Sequence, residues 1–193
     1  MIPKWPSVDE SITGIERYKI YRRYLQDGDI LEWGSDKIIG RMIRMFTKKD
    51  VNHTGGVIRM KEFENEPGDR IMTTEATEKG FCINYLSRAL EGYKGRVYVL
   101  PLKSPGLDNY RRSIVRCELD MVGIPYDFGG LFSNMFGRVS MNARQFFCSE
   151  GKAFSLDSSG VITLPLNKKG RKIAPRPGDF FKFGVTLPRV RIY

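Results

Sequence analysis

One histidine, His53, occurs in 193 residues, and it stands in a strand-like run, Val51-Asn52-His53-Thr54-Gly55-Gly56-Val57-Ile58. Far downstream is a cysteine, Cys148, in Phe146-Phe147-Cys148-Ser149-Glu150. A thiol nucleophile at neutral pH needs a base, and this chain offers a single imidazole for that work. The ordinary role of a lone histidine is surface or packing, and both readings stand at this point. On a strand, residues 53, 55 and 57 share one face and 54, 56 and 58 the other. Gly55 and Gly56 remove side chains beside the imidazole on both faces, which lets another element approach closely. In the next strand-like run Ile71, Thr73 and Glu75 share a face. If the two runs pair antiparallel, Glu75 comes near His53 and bonds one ring nitrogen, fixing the tautomer. A surface carboxylate at a sheet edge is the plainer alternative.

Cys148 reads as opening a helix. There the positive end of the dipole and unpaired amides favour a thiolate, and the same amides can hold an oxyanion. The alternative is a buried cysteine with no chemistry. Glu150 is expected in the first helical turn with a structural role.

The elements that must position these groups follow from periodicity. A helix is expected over 9–25, from Ile12, Ile15, Tyr18, Tyr21 and Leu25. The turn Asp27-Gly28-Asp29 leads into a strand, Ile30-Leu31-Glu32-Trp33, and 35–46 reads as a second helix. Pro67-Gly68-Asp69 is a turn, and 70–76 alternates as a strand. Residues 81–91 read as a helix with Cys82 facing the core, and 96–102 as a strand. Ser104-Pro105 reads as N-cap and first helical residue of a helix whose apolar stripe is Leu107, Tyr110, Ile114, Cys117 and Met121. That makes Cys117 a core thiol. A loop rich in Gly and Phe spans 127–137, and closing strands are expected at 161–164, 179–183 and 190–193. Short antiparallel strands with interspersed helices argue an α+β fold. One domain is expected: a helix appended over 1–26, a core over 27–155, and closing strands with a basic segment over 156–193.

Composition narrows the class. Hydrophobic residues make up 41% and charged residues 28%, values of an ordinary globular chain rather than a disordered one. The longest apolar runs are strand-sized, and Met1 to Ser7 lacks the apolar stretch of a secretory signal. A cytoplasmic or virion-associated protein is therefore expected. Three cysteines at 82, 117 and 148 have no metal-like spacing, so neither a zinc site nor a disulfide framework is expected. The net charge of +10 gathers at Lys48-Lys49, Arg111-Arg112 and Lys168-Lys169-Gly170-Arg171-Lys172. It fits a solvated face, or attraction to an anionic partner such as a membrane or wall polymer. No nucleic-acid motif accompanies it, so nucleic acid is the weaker candidate partner.

Five segments in order carry a resemblance: Gly28-Asp29-Ile30-Leu31, Asn52-His53-Thr54-Gly55-Gly56-Val57, Thr74-Glu75-Ala76, Pro125-Tyr126-Asp127-Phe128 and Phe147-Cys148-Ser149-Glu150. Over about residues 27–155 the chain resembles the permuted papain-like fold, in its YiiX-like branch of the NlpC-type superfamily, relatives of lecithin retinol acyltransferase. The resemblance implies a small antiparallel sheet or partial barrel packed against helices. It implies Cys148 as nucleophile, His53 as base, Glu75 as the third member and Tyr126 as an oxyanion-side donor. Thiol-dependent hydrolysis or acyl transfer on cell-wall peptides, or on acyl groups of lipids or amino acids, would follow, with no metal or organic cofactor. Trp33, Tyr126 and the Phe-rich loop then line an apolar substrate pocket, or belong to the core. Gly151-Lys152 depart from the family pattern, which continues with apolar residues. A protein with this fold that binds through its basic face without turnover is the competing class.

Overall fold

A computed structural model describes the chain except residues 1–4, 38–40, 42–43, 46–47, 61–69, 78–79, 125–142 and 171, and the side chains of 143–148. The turn at 67–69, the loop over 127–137 and Tyr126 fall outside the described residues; of the helix expected over 35–46, Ser35 closes a strand, residues 41, 44 and 45 are helical, and 38–40, 42–43 and 46 lie outside the described residues.

The fold is α+β, built on an open sheet rather than a partial barrel. Its strands are β1 (Ile30–Ser35), β2 (His53–Met60), β3 (Arg70–Thr77), β4 (Gly80–Tyr85), β5 (Gly95–Leu100) and β6 (Val190–Arg191). Their order is β4-β3-β2-β1-β5-β6, and every neighbouring pair is antiparallel. The helices are α1 (Gly14–Tyr21), α2 (Leu86–Leu90), α3 (Asp108–Met121) and α4 (Ala143–Ser158). Among the described residues no helix is long and apolar enough to cross a membrane.

Strand alternation divides the core in two. On one face Leu31, Trp33, Val57, Ile71, Val97 and Val99 pack with Tyr18, Tyr21, Leu25, Leu86 and Leu90, from α1, α2 and the turn after α1. On the other face Ile30, Ala76, Phe81 and Leu100 pack with Ile114 and Met121 of α3 and Ala153 and Leu156 of α4. Because β1 is central and covered on both sides, its first five residues are all buried.

Four expectations are corrected. The first helix is shorter than 9–25: α1 spans Gly14–Tyr21, then a 3₁₀ turn spans Arg22–Tyr24. Its buried side chains are Tyr18, Tyr21 and also Arg17, whose guanidinium donates to the carbonyls of Arg191, Asp9 and Ile12, whereas Ile15 is exposed.

Residues 80–85 form β4, not a helix, and only Leu86–Leu90 is helical. A lone short helix gains little, whereas Phe81, Ile83 and Tyr85 alternate along the edge of β3 and complete its ladder. Cys82 therefore sits half-buried on a strand, opposite Glu75.

Pro105 precedes the third helix instead of opening it, although Ser104 Oγ still donates to Asp108 Oδ2 at 2.8 Å. That helix buries Arg111, Ile114, Glu118 and Met121, leaving Tyr110 exposed and Cys117 half-buried. The observed stripe is rotated from the apolar one because two charged residues are buried with partners. Arg111 Nη1 donates to Asp29 Oδ1 at 2.8 Å, and Arg111 Nη2 to the Leu102 carbonyl at 3.1 Å.

Of the closing strands only Val190–Arg191 joins the sheet, against Tyr98 and Val99. Val161, Ile162 and Leu164 are buried without a ladder, and Phe180–Phe183 is a 3₁₀ turn that seats Phe180 in the core.

Candidate functional site

His53 is the first residue of β2 and pairs with Trp33 of β1, while Glu75 of β3 lies opposite Gly55. His53, Gly55 and Glu75 therefore share the face turned to α1 and α2. The diagonal from Glu75 to His53 is within reach of a glutamate side chain. Nε2 of His53 and Oε2 of Glu75 are 2.7 Å apart. An ionised carboxylate only accepts, so in this bond Nε2 is the donor. Gly55 is needed here: a Cβ would lie 2.7 Å from the Thr74 carbonyl and against the Glu75 stem.

The pair opens onto a cleft of about 810 Å³. Trp33 and Tyr93 form one wall, with ring centroids 5.1 Å apart and nearly perpendicular planes. Ile83, Asn84 and Tyr85 of β4 form the other, and Arg88 of α2 stands at its side. Trp33 is 3% exposed: it packs in the core of this face and also lines the cleft. Burial pushes the Tyr93 phenol up and keeps it neutral, and a hydrogen bond with Ser35 opposes part of the rise. Tyr93, Asn84 and Arg88 were missed by sequence reasoning. Asn84 and Arg88 fell in the helix expected over 81–91, Tyr93 fell between it and the strand expected from 96, and residues beside a strand edge carry no separate signal.

The helix bearing Cys148 packs on β2 and β3, and its described side chains meet the opposite sheet face. It begins at Ala143, so Cys148 lies in its second turn instead of opening it. The dipole and unpaired amides act chiefly on the first turn, so their help to this thiol is smaller than expected. Glu150, expected in the first turn, is 3% exposed, and its Oε2 has no hydrogen-bond partner among the described residues. Burial pushes its carboxyl up to about 7.

The departure Gly151-Lys152 has a packing reason. A Cβ at Gly151 would lie 2.7 Å from the Phe81 ring. Lys152 is 2% exposed, and its Nζ donates to Glu118 Oε1 at 2.6 Å and to the Gly28 carbonyl at 2.9 Å. Ser155 Oγ donates to Glu118 Oε1 at 3.1 Å and Thr74 Oγ1 to Glu118 Oε2 at 2.7 Å. The Glu118 carboxylate occupies the space that a side chain at Gly56 would fill. Toward its N-terminus α4 passes from the Gly56–Thr74 row, met by Ser155 through Glu118, to the Phe81–Ala76 row, met by Gly151. That direction leads to the sheet end where β2 begins at His53 and β3 stops at Thr77.

Neither a family model nor a curated protein matches this chain. Among solved structures, the crystal structure of the metalloprotein YiiX from Escherichia coli O157:H7 is similar, at 16% identity and a TM-score of 0.63. The match covers 88% of this chain and 98% of that one. The two chains share a fold. YiiX is described as a metalloprotein and as DUF1105. Among the described residues here, no group of three or more His, Cys, Asp or Glu side chains converges as a metal cage requires.

The other thiols lie in unfavourable surroundings for a nucleophile. Burial pushes Cys117 up to about 11, with Glu118 and Asp120 adding to the rise. Burial also raises Cys82, where an Asn84 amide donates to Sγ at 3.4 Å.

Proposed function

We propose that this chain is a thiol hydrolase or acyltransferase of permuted papain-like architecture, acting on an amide or ester carbonyl. The observation that carries the reading is the His53–Glu75 pair, hydrogen-bonded at 2.7 Å beside a substrate-sized cleft. The course of α4 supports it: one turn beyond Gly151, about 5 Å along the axis, carries the backbone at Cys148 toward the strand end that holds His53. The shared fold with YiiX is consistent with it.

In this reading Cys148 Sγ gives its proton to His53 Nδ1 and bonds to the substrate carbonyl carbon. Glu75 holds the ring and stabilises the imidazolium. The tetrahedral oxyanion is held by Tyr126. Collapse breaks the carbon–nitrogen or carbon–oxygen bond, and the leaving group takes the proton from His53. Water or another acceptor, deprotonated by His53, then attacks the thioester and returns Cys148 to its thiol. Trp33 forms part of the substrate wall. Peptides and acyl esters or amides are the substrate classes, and the chemistry requires no cofactor.

The test is turnover of a panel of peptides and acyl esters by the parent and by Cys148→Ala. Hydrolysis or transfer by the parent, lost in the variant, is expected; turnover that survives in Cys148→Ala excludes the nucleophile. The placement of Cys148 beyond the first turn of α4 favours a second reading, a binding protein of the same fold without turnover. Substrate retained unchanged by the folded parent would select it.

A further inference from the structure

From Pro165 to Gly178 the chain holds Lys168, Lys169, Arg171, Lys172 and Arg176 and no carboxylate. The described part of this segment is an ordered hairpin. Leu166 bridges Lys172, and the Ile173 N–H donates to the Pro165 carbonyl at 2.8 Å. The tip is closed by Gly170 N–H on the Asn167 carbonyl at 2.9 Å and Lys169 N–H on Asn167 Oδ1 at 2.8 Å, with Gly170 at a φ of 72° that suits glycine. Lys172 is tied to Asp157 of α4, which anchors the hairpin to the body. Lys168 and Lys169 have no acidic partner among the described residues.

Charge alone would mean only a solvated loop. Two aliphatic side chains change that: Leu166 is 61% exposed and Ile173 is 45% exposed, each within a few residues of the cations. Leu166 shares a face with Lys172, and Ile173 shares the opposite face with Pro165. Aliphatic groups therefore emerge on both sides of one narrow basic tip. A flat protein surface covers one side of a hairpin, and a phosphate backbone offers nothing to leucine or isoleucine. A lipid interface surrounds an inserted tip and supplies anionic headgroups for the lysines and acyl carbons for the aliphatic chains.

We propose that the 165–173 hairpin docks this protein on anionic phospholipid surfaces, with Leu166 and Ile173 entering the headgroup region and Lys168 and Lys169 pairing with lipid phosphates. The inference is independent of the thiol chemistry.

The test is flotation of the full chain with vesicles of phosphatidylcholine, alone and mixed with phosphatidylglycerol, alongside gel retardation with DNA and RNA at the same salt. Binding to the mixed vesicles, weakened by added salt and absent from phosphatidylcholine alone, is expected. K168Q/K169Q should weaken it about 25-fold, at about fivefold per charge. L166S/I173S should weaken it with all charges kept, and both variants should melt as the parent does because the sites are exposed. No flotation with anionic vesicles at low salt would overturn the proposal. So would vesicle binding unchanged in L166S/I173S, or nucleic acid bound more tightly than vesicles.

Discussion

The two faces of the sheet each hold a carboxylate joined to a basic group, and they are built to opposite ends. On the α3–α4 face, Glu118 and Lys152 are both 1% exposed at the side chain, and Thr74, Ser155 and the Gly28 carbonyl complete their hydrogen bonds. On the α1–α2 face, His53 and Glu75 remain 23% and 14% exposed at the edge of an open cleft. A buried pair saturated with partners has no capacity to exchange a proton with a substrate; its burden is desolvation, and its effect is to hold helices to the sheet. A partly exposed imidazole at the mouth of a cleft, oriented by a carboxylate, stays within reach of a small molecule. Exposure, more than the presence of charge, separates scaffold from candidate site.

That contrast yields graded expectations. The largest concerns the cleft face: His53→Ala should lower turnover by about 10²–10⁴-fold, the usual contribution of a general base, with thermal stability changed little. Comparable loss of stability and activity would place His53 with the scaffold. On the opposite face Lys152→Met should cost about 3–5 kcal/mol in urea unfolding, because it leaves Glu118 charged and buried without its partner. Adding Glu118→Leu should recover much of that loss; no recovery would mean that the network is not the cause.

Glu150 supplies a pH test. Its carboxyl stays protonated in the folded chain to about 7, against an ordinary 4.5, so between those pH values folding takes up a proton. Stability is therefore fully present below about 4.5 and falls as pH rises toward 7, by roughly 3 kcal/mol. Glu32, also raised to about 7 by burial, contributes with the same sign. Glu150→Gln should thus make the decline shallower, and an unchanged pH profile of denaturant midpoints would contradict the assignment. The smallest effect is Gly56→Ala, whose methyl would meet Glu118 and Thr74 and should cost about 1–3 kcal/mol.

The legible parts of this chain were those governed by alternation. His53 and Glu75 could be matched from parity on two runs expected to pair, and the glycines beside His53 marked a close approach that Glu118 occupies at Gly56. The third helix was misread because hydropathy counts Arg111 and Glu118 as outward, whereas Asp29 and Lys152, distant in sequence, neutralise them inside. β4 was misread because six residues with mixed periodicity become a strand only when the edge of β3 is there to pair with. Cys148 was assigned to a helix start from its local residues, and nothing in five residues of sequence reveals that the helix begins at Ala143.

The most direct test of the central claim is the rate of Cys148 alkylation as a function of pH in the parent and in His53→Ala, read by peptide mapping. The account predicts that the parent reacts at Cys148 well before Cys82 and Cys117, with an apparent pKa below the ordinary thiol value of about 8.5. In His53→Ala that pKa should return toward about 8.5 and the rate at neutral pH should fall at least about tenfold. Superimposable profiles for the two proteins would show that imidazole and sulfur do not meet.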